Sequence, residues 1–113
     1  MSCDIQFGEF GYWSVRCVAF SDLMRRAARN TENKAVMDLF GFAKVCGILN
    51  VFRYPEGELR REMAGALRRA AQELIAELSA TPDEPISSIE SVQHLITMTD
   101  AVLNETHTNS QTI

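Results

Sequence analysis

The amino-acid sequence predicts an all-α fold, a four-helix up-down bundle, with a short hairpin or extended segment at the N-terminus as the competing description of its first residues. Three observations predict it. Four stretches carry apolar side chains at helical spacing; short Pro- and Gly-bearing connectors separate them; and 113 residues, 46% hydrophobic and 23% charged, make one ordinary globular domain rather than a disordered chain. A chain of this length buries roughly two-thirds of its unfolded surface.

The first helix is predicted over residues 12–29. Trp13, Cys17, Phe20, Met24 and Ala27 recur at steps of four and three and so share one face. Asn30 and Thr31 supply the break and the next N-cap. The second helix is predicted over 32–52. It is apolar nearly all round, through Val36, Leu39, Phe40, Ala43, Cys46, Ile48 and Val51, which places it at the buried centre of a bundle. Gly41 and Gly47 weaken it by about 1 kcal/mol each relative to Ala, so both are expected where a neighbouring backbone comes close. Asp38, Lys44, Asn50 and Arg53 interrupt this stretch, too often for a membrane span.

Tyr54, Pro55, Glu56 and Gly57 form a turn. The third helix, over 58–79, is the clearest: Leu59, Met63, Leu67, Ala70, Leu74 and Leu78 form its stripe. Residues 81–85, with Pro82 and Pro85, make a stiff connector. Ser87 and Glu90 then fit a capping box, and Ile89, Val92, Ile96, Thr99 and Leu103, helped by Leu95 and Val102, the inner face of the fourth helix. Apolar periodicity stops there, so the chain divides into one helical domain, 1–106, and a flexible tail, 107–113. The weak point is the start. Asp4 to Phe7 and Trp13 to Cys17 also alternate with the strand period around Gly8 and Gly11.

Charge is the strongest functional hint. Residues 1–69 hold all eleven basic and eight of the acidic residues, a sum of +3; residues 70–113 hold seven carboxylates and no Lys or Arg, a sum of −7, for a net −4. Such asymmetry speaks of partners. It points to a basic protein partner, docked on Glu73, Glu77, Asp83, Glu84, Glu90 and Asp100. The most concrete version is an immunity or antitoxin-type protein that occludes the positive cleft of a nuclease toxin. A blander account, acidic bias for solubility and for helix starts, competes with it.

Other sites are less persuasive. Arg25, Arg26 and Arg29 close the first helix, and Arg60, Arg61, Arg68 and Arg69 lie on the third. They suggest a phosphate-binding patch, hence a nucleic-acid-binding regulator as an alternative. A pI near 5.1 and the interleaved Glu58, Glu62 and Glu73 favour a solvated face instead. A ligand-binding bundle is the remaining alternative. Glu90 and His94 share a helix face but lack the further ligands of a metal site, and His107 falls in the expected tail. No nucleophile motif or phosphate loop appears. The expectation is therefore a non-enzyme without cofactor or metal and without a membrane segment. Cys3, Cys17 and Cys46 form no CxxC, leave an odd count and follow no basic and apolar leader. They are expected as reduced thiols, two of them buried in helices, in a cytoplasmic protein. Among aromatic anchors, Tyr12 and Tyr54 are candidates for contact, and Trp13 for the core.

Overall fold

The computed structural model describes residues 2–51, 57–80 and 86–111, with side chains for 2–51, 58–80 and 89–104. They form four helices and a small three-stranded mixed sheet, so the protein is mostly helical but not a pure all-α bundle. The N-terminal half departs from the predicted bundle, and each departure has a local cause.

Strand β1 (Ser2–Gln6) runs through a single 3-10 turn (Gly8–Phe10) into strand β2 (Tyr12–Arg16). The two pair antiparallel, Ile5 opposite Trp13 and Cys3 opposite Val15. Phe7 donates its N–H to the Gly11 carbonyl (2.8 Å), and Gly11, at φ 102°, takes a conformation that L side chains rarely adopt. Cys3, Ile5, Phe7 and Trp13 are buried while Ser2, Tyr12, Ser14 and Arg16 are exposed. This is the period-two pattern of a sheet with one covered face. The predicted helix over 12–29 is thus wrong in its first turn. Trp13 and Cys17 are four apart, a step shared by one helical turn and two strand repeats. The hairpin wins because β1 offers a partner.

Helix α1 (Cys17–Arg29) buries Phe20, Leu23, Met24 and Ala27. Asn30 ends it, its N–H reaching the Ala27 carbonyl (3.0 Å). The cap of the next helix is Asn33, not the expected Asn30–Thr31: its side chain accepts from the Ala35 and Val36 N–H groups. Helix α2 (Lys34–Cys46) stops well short of residue 52. Gly47 sits in the left-handed region (φ 78°) and returns its N–H to Ala43 (2.8 Å), a glycine C-cap. A β-carbon there would lie 3.2 Å from Cys3 Sγ, so Gly47 does meet a neighbour, as a terminator rather than a mid-helix contact. Gly41, by contrast, faces nothing within 4 Å.

Past Gly47 the chain forms strand β3 (Ile48–Asn50), parallel to β1 with Ile5 beside Leu49. The strand order is β2-β1-β3. A disulfide joins Cys3 to Cys17 across the hairpin, Cα–Cα 5.1 Å. Reduced helical thiols were expected; two of the three are bonded and only Cys46, which is exposed, is free. The expectation of reduced thiols is thereby corrected at Cys3 and Cys17.

Helices α3 (Gly57–Ser79) and α4 (Ile86–Gln111) match the predicted third and fourth elements closely. Met63, Leu67, Ala70 and Ala71 of α3 are fully buried, while Leu59, Leu74 and Leu78 pack half-buried around them. On α4 the buried line is Val92, Leu95, Met98, Thr99 and Val102, with Ile96 and Leu103 at its edge. The inner face is therefore turned slightly from the predicted one. Buried Thr99 donates its hydroxyl to the Ile96 carbonyl (2.7 Å). Helix α4 starts at Ile86, before Ser87, whose capping side chain lies outside the described residues. It runs on past residue 106, where apolar periodicity ends.

The helices do not close into a four-way bundle. Helix α3 packs along α4 and against α1, and α1 packs against α2, which barely touches α3. The sheet lies on α1, with α2 leading directly into β3. Trp13 Nε1 donates to the Ser91 carbonyl (2.8 Å), tying the hairpin to α4. Among the described residues, helix α2 thus packs chiefly on α1, with lesser contacts to β3 and α3. Its other flank is where the fold and the sequence reading diverge most.

Candidate functional site

The charged residues singled out in the sequence fall mostly between helices. Arg26, 11% exposed, holds Asp22 (2.8 Å) on its own helix and Glu77 and Glu73 (3.8 Å) on α3. Arg29 reaches Glu73 (3.6 Å), and Asn30 Nδ2 donates to the same carboxylate (2.6 Å). Arg69 donates to the Asn30 carbonyl (2.5 Å). On the other side of α3, Arg68 binds Asp100 of α4 (2.7 Å). Burial would raise the Asp22 carboxyl, but hydrogen bonds from Arg25 and Arg26 and their positive charge outweigh it and hold it below its ordinary value. Arg26 is held more firmly charged, by its hydrogen bond to Asp22 first and then, against the cost of burial, by Glu77.

Of the six carboxylates expected to meet a partner, Glu73, Glu77 and Asp100 therefore stitch α3 to α1 and α4. Glu90 is exposed on α4; Asp83 and Glu84 lie outside the described residues, as does Tyr54. The arginine clusters are drawn into the same work through Arg26, Arg29 and Arg68, while Arg61 is exposed. His94 is exposed beside Glu90. Among the described residues, no group of three His, Cys, Asp or Glu side chains could hold a metal, and no helix is long and apolar enough to cross a membrane.

The feature that the sequence reading missed is the outer face of α2 and β3. Phe42 is 66% exposed, Val45 86% and Ile48 45%. Beside them is a hollow of about 290 Å³ lined by Leu39, Phe42, Ala43, Cys46, Ile48 and Leu49, together with Gln6 and Asn50. A helix apolar on all sides was read as central, yet only Val36, Phe40 and Ala43 are buried. The signal was present in that all-round character: a 13-residue helix that packs chiefly on α1 among the described residues turns its remaining apolar side chains outward. Trp13 is in the core, as anticipated, and Tyr12 is 66% exposed on β2.

Compared with protein-family models, with curated proteins and with solved structures, the chain matches none of them.

Proposed function

We propose that this chain acts by binding another protein, and that its docking surface is the outer face of α2 and β3. The observation that carries this reading is the exposure of Phe42 and Ile48 at a largely apolar hollow, with Val45 exposed nearby on α2. Large apolar side chains grouped in this way mark interaction sites more than scattered single ones do. β3 is also one of the two edge strands of the described sheet, β2 being the other, a position that favours an extended partner segment. The test is affinity purification from the native host with wild-type bait and with Val45→Asp bait. A partner retained by the first and lost by the second supports the assignment; a partner retained equally by both removes it.

A second reading rests on the charge partition: seven carboxylates and no basic residue after Arg69. In it, the partner is a basic protein, most concretely a nuclease toxin that the chain neutralises. With Glu73, Glu77 and Asp100 paired internally, Glu90, Asp83 and Glu84 carry the contact. Reversing Asp83 and Glu84 together should slow association with such a partner and flatten its salt dependence. Association unchanged by that reversal, but lost on reversal of Arg61 and Arg68, rules this reading out in favour of nucleic acid.

A further inference from the structure

We infer that the three cysteines form a thiol–disulfide switch, in which the free thiol of Cys46 attacks Cys3 of the Cys3–Cys17 bond. Cys3–Cys17 is the resting disulfide, and Cys46 is an exposed free thiol. Distant in sequence, Cys46 and Cys3 are brought together by the parallel pairing of β1 and β3. Asp4 is level with Ile48, and its N–H donates to the Gly47 carbonyl (3.2 Å). Cys3 and Gly47 are therefore neighbours one step back along the two chains. A β-carbon on Gly47 would lie 3.2 Å from Cys3 Sγ, with no atom of Cys17 within 4 Å of it. Cys46 is the next residue, its Cα about 3.8 Å from that of Gly47. Taken end to end, these steps keep the Cys46 Cα within about 8.5 Å of Cys3 Sγ.

A disulfide needs Cα atoms about 4.4–6.8 Å apart, and adjacent strands lie about 4.8 Å apart. Cys46 comes into that range when the last turn of α2 opens. Gly47 closes that turn, returning its N–H to Ala43 from the left-handed region. Helix ends fray at low free-energy cost, and a glycine absorbs the backbone change without steric penalty. In the exchange the Cys46 thiolate bonds to Cys3 Sγ and the Cys3–Cys17 bond breaks. Cys17 leaves as a thiolate and takes up the proton that Cys46 gave to solvent. One disulfide and one thiol are present before and after, so no oxidant or reductant is consumed. The product frees Cys17 at the start of α1 and withdraws Cys46 from the wall of the hollow that it lines. The exchange holds whether or not that hollow is a docking site.

The experiment is disulfide mapping of the wild-type chain. Dilute folded protein is equilibrated at about pH 8 without reductant, where thiolates attack, and the free thiol is trapped with excess N-ethylmaleimide at mildly acid pH, where they do not. Peptides are then read by mass spectrometry without reduction. Most label should fall on Cys46, the resting state, and a minor fraction on Cys17, in chains whose Cys3 and Cys46 peptides are linked. Cys17 should take several times more label than Cys3. In guanidinium that order should reverse, because the loop closed by Cys17 and Cys46 is shorter than the one closed by Cys3 and Cys46. The Cys17 fraction should be the same at every protein concentration, as exchange within one chain requires. Cys46→Ser, with its fold confirmed by circular dichroism, should leave Cys17 unlabelled. Label confined to Cys46 in the wild type overturns the switch. So does a Cys17 fraction that grows with protein concentration, or label on Cys17 in Cys46→Ser. More label on Cys3 than on Cys17 in the folded chain overturns the attack on Cys3 beside Gly47.

Discussion

The two halves of this molecule are held together differently. The α3–α4 hairpin is a local structure: two long amphipathic helices, adjacent in sequence, bury Met63, Leu67, Leu95 and Val102 along a shared seam. The N-terminal half is assembled from distant pieces. β1 must find β3 more than forty residues away, a disulfide joins Cys3 to Cys17, and one glycine ends α2 so that β3 can turn back to the sheet. Burial of apolar area is the common currency, but the hairpin draws on helical periodicity and the N-terminal half on pairing, cross-linking and backbone conformation. The hairpin should therefore fail by cavity formation and the N-terminal half by loss of single specific devices.

The largest expected effect is in the hairpin. Leu67→Ala should cost about 2–5 kcal/mol by chemical denaturation, because Leu67 is fully buried. A loss under about 0.5 kcal/mol would mean that the seam is not shared core. In the N-terminal half, opening the Cys3–Cys17 bond, by reductant or by Cys17→Ser, should lower stability by about 3 kcal/mol, the loop-closure entropy of a link across 14 residues. Hydrogen exchange should show the loss first in β1 and β2, with α3 and α4 protected to a later stage. Equal weakening of both halves would erase the distinction drawn here.

Gly47→Leu should destabilise by about 1–3 kcal/mol through its positive φ and through contact with Cys3 Sγ. A rise in melting temperature would show that α2 continues past Gly47. Trp13→Phe should cost about 1 kcal/mol, since it removes the hydrogen bond to Ser91 but leaves most of the apolar area. That bond joins the two halves, so the variant should also reduce the cooperativity of unfolding.

The smallest effect concerns acid. The Asp22 carboxyl is held below its ordinary 3.8 in the folded chain. Its contribution to stability is complete above about pH 4 and is lost as pH falls through the lower, folded value. Asp22→Asn should lower the melting temperature at pH 7 slightly and flatten its decline below pH 4. The same slope in variant and wild type would mean that the Arg25 and Arg26 pairing is exposed and of little energetic weight.

The hairpin was readable because its information is short-ranged. Leu59, Met63, Leu67, Ala70 and Leu74 recur at a period that only a helix satisfies over so many turns, and the bounds of α3 agree within one residue of those predicted. The charge partition, too, follows from the residues alone. What the residues alone left open are choices made by partners distant in the chain. The step from Trp13 to Cys17 suits a strand and a helix equally, and β1 decides between them. Ile48 to Asn50 continue the apolar pattern of α2, and only an available sheet edge beside Gly47 makes them a strand. Glu73, Glu77 and Asp100 are identical in sequence terms to free surface carboxylates, until α1 and α3 place Arg26, Arg29 and Arg68 against them. Cys46 and Ile48 look like core until the packing of α2 on α1 leaves them exposed together with Phe42 and Val45. Periodicity states which side chains share a face; only the assembled tertiary structure states what that face meets.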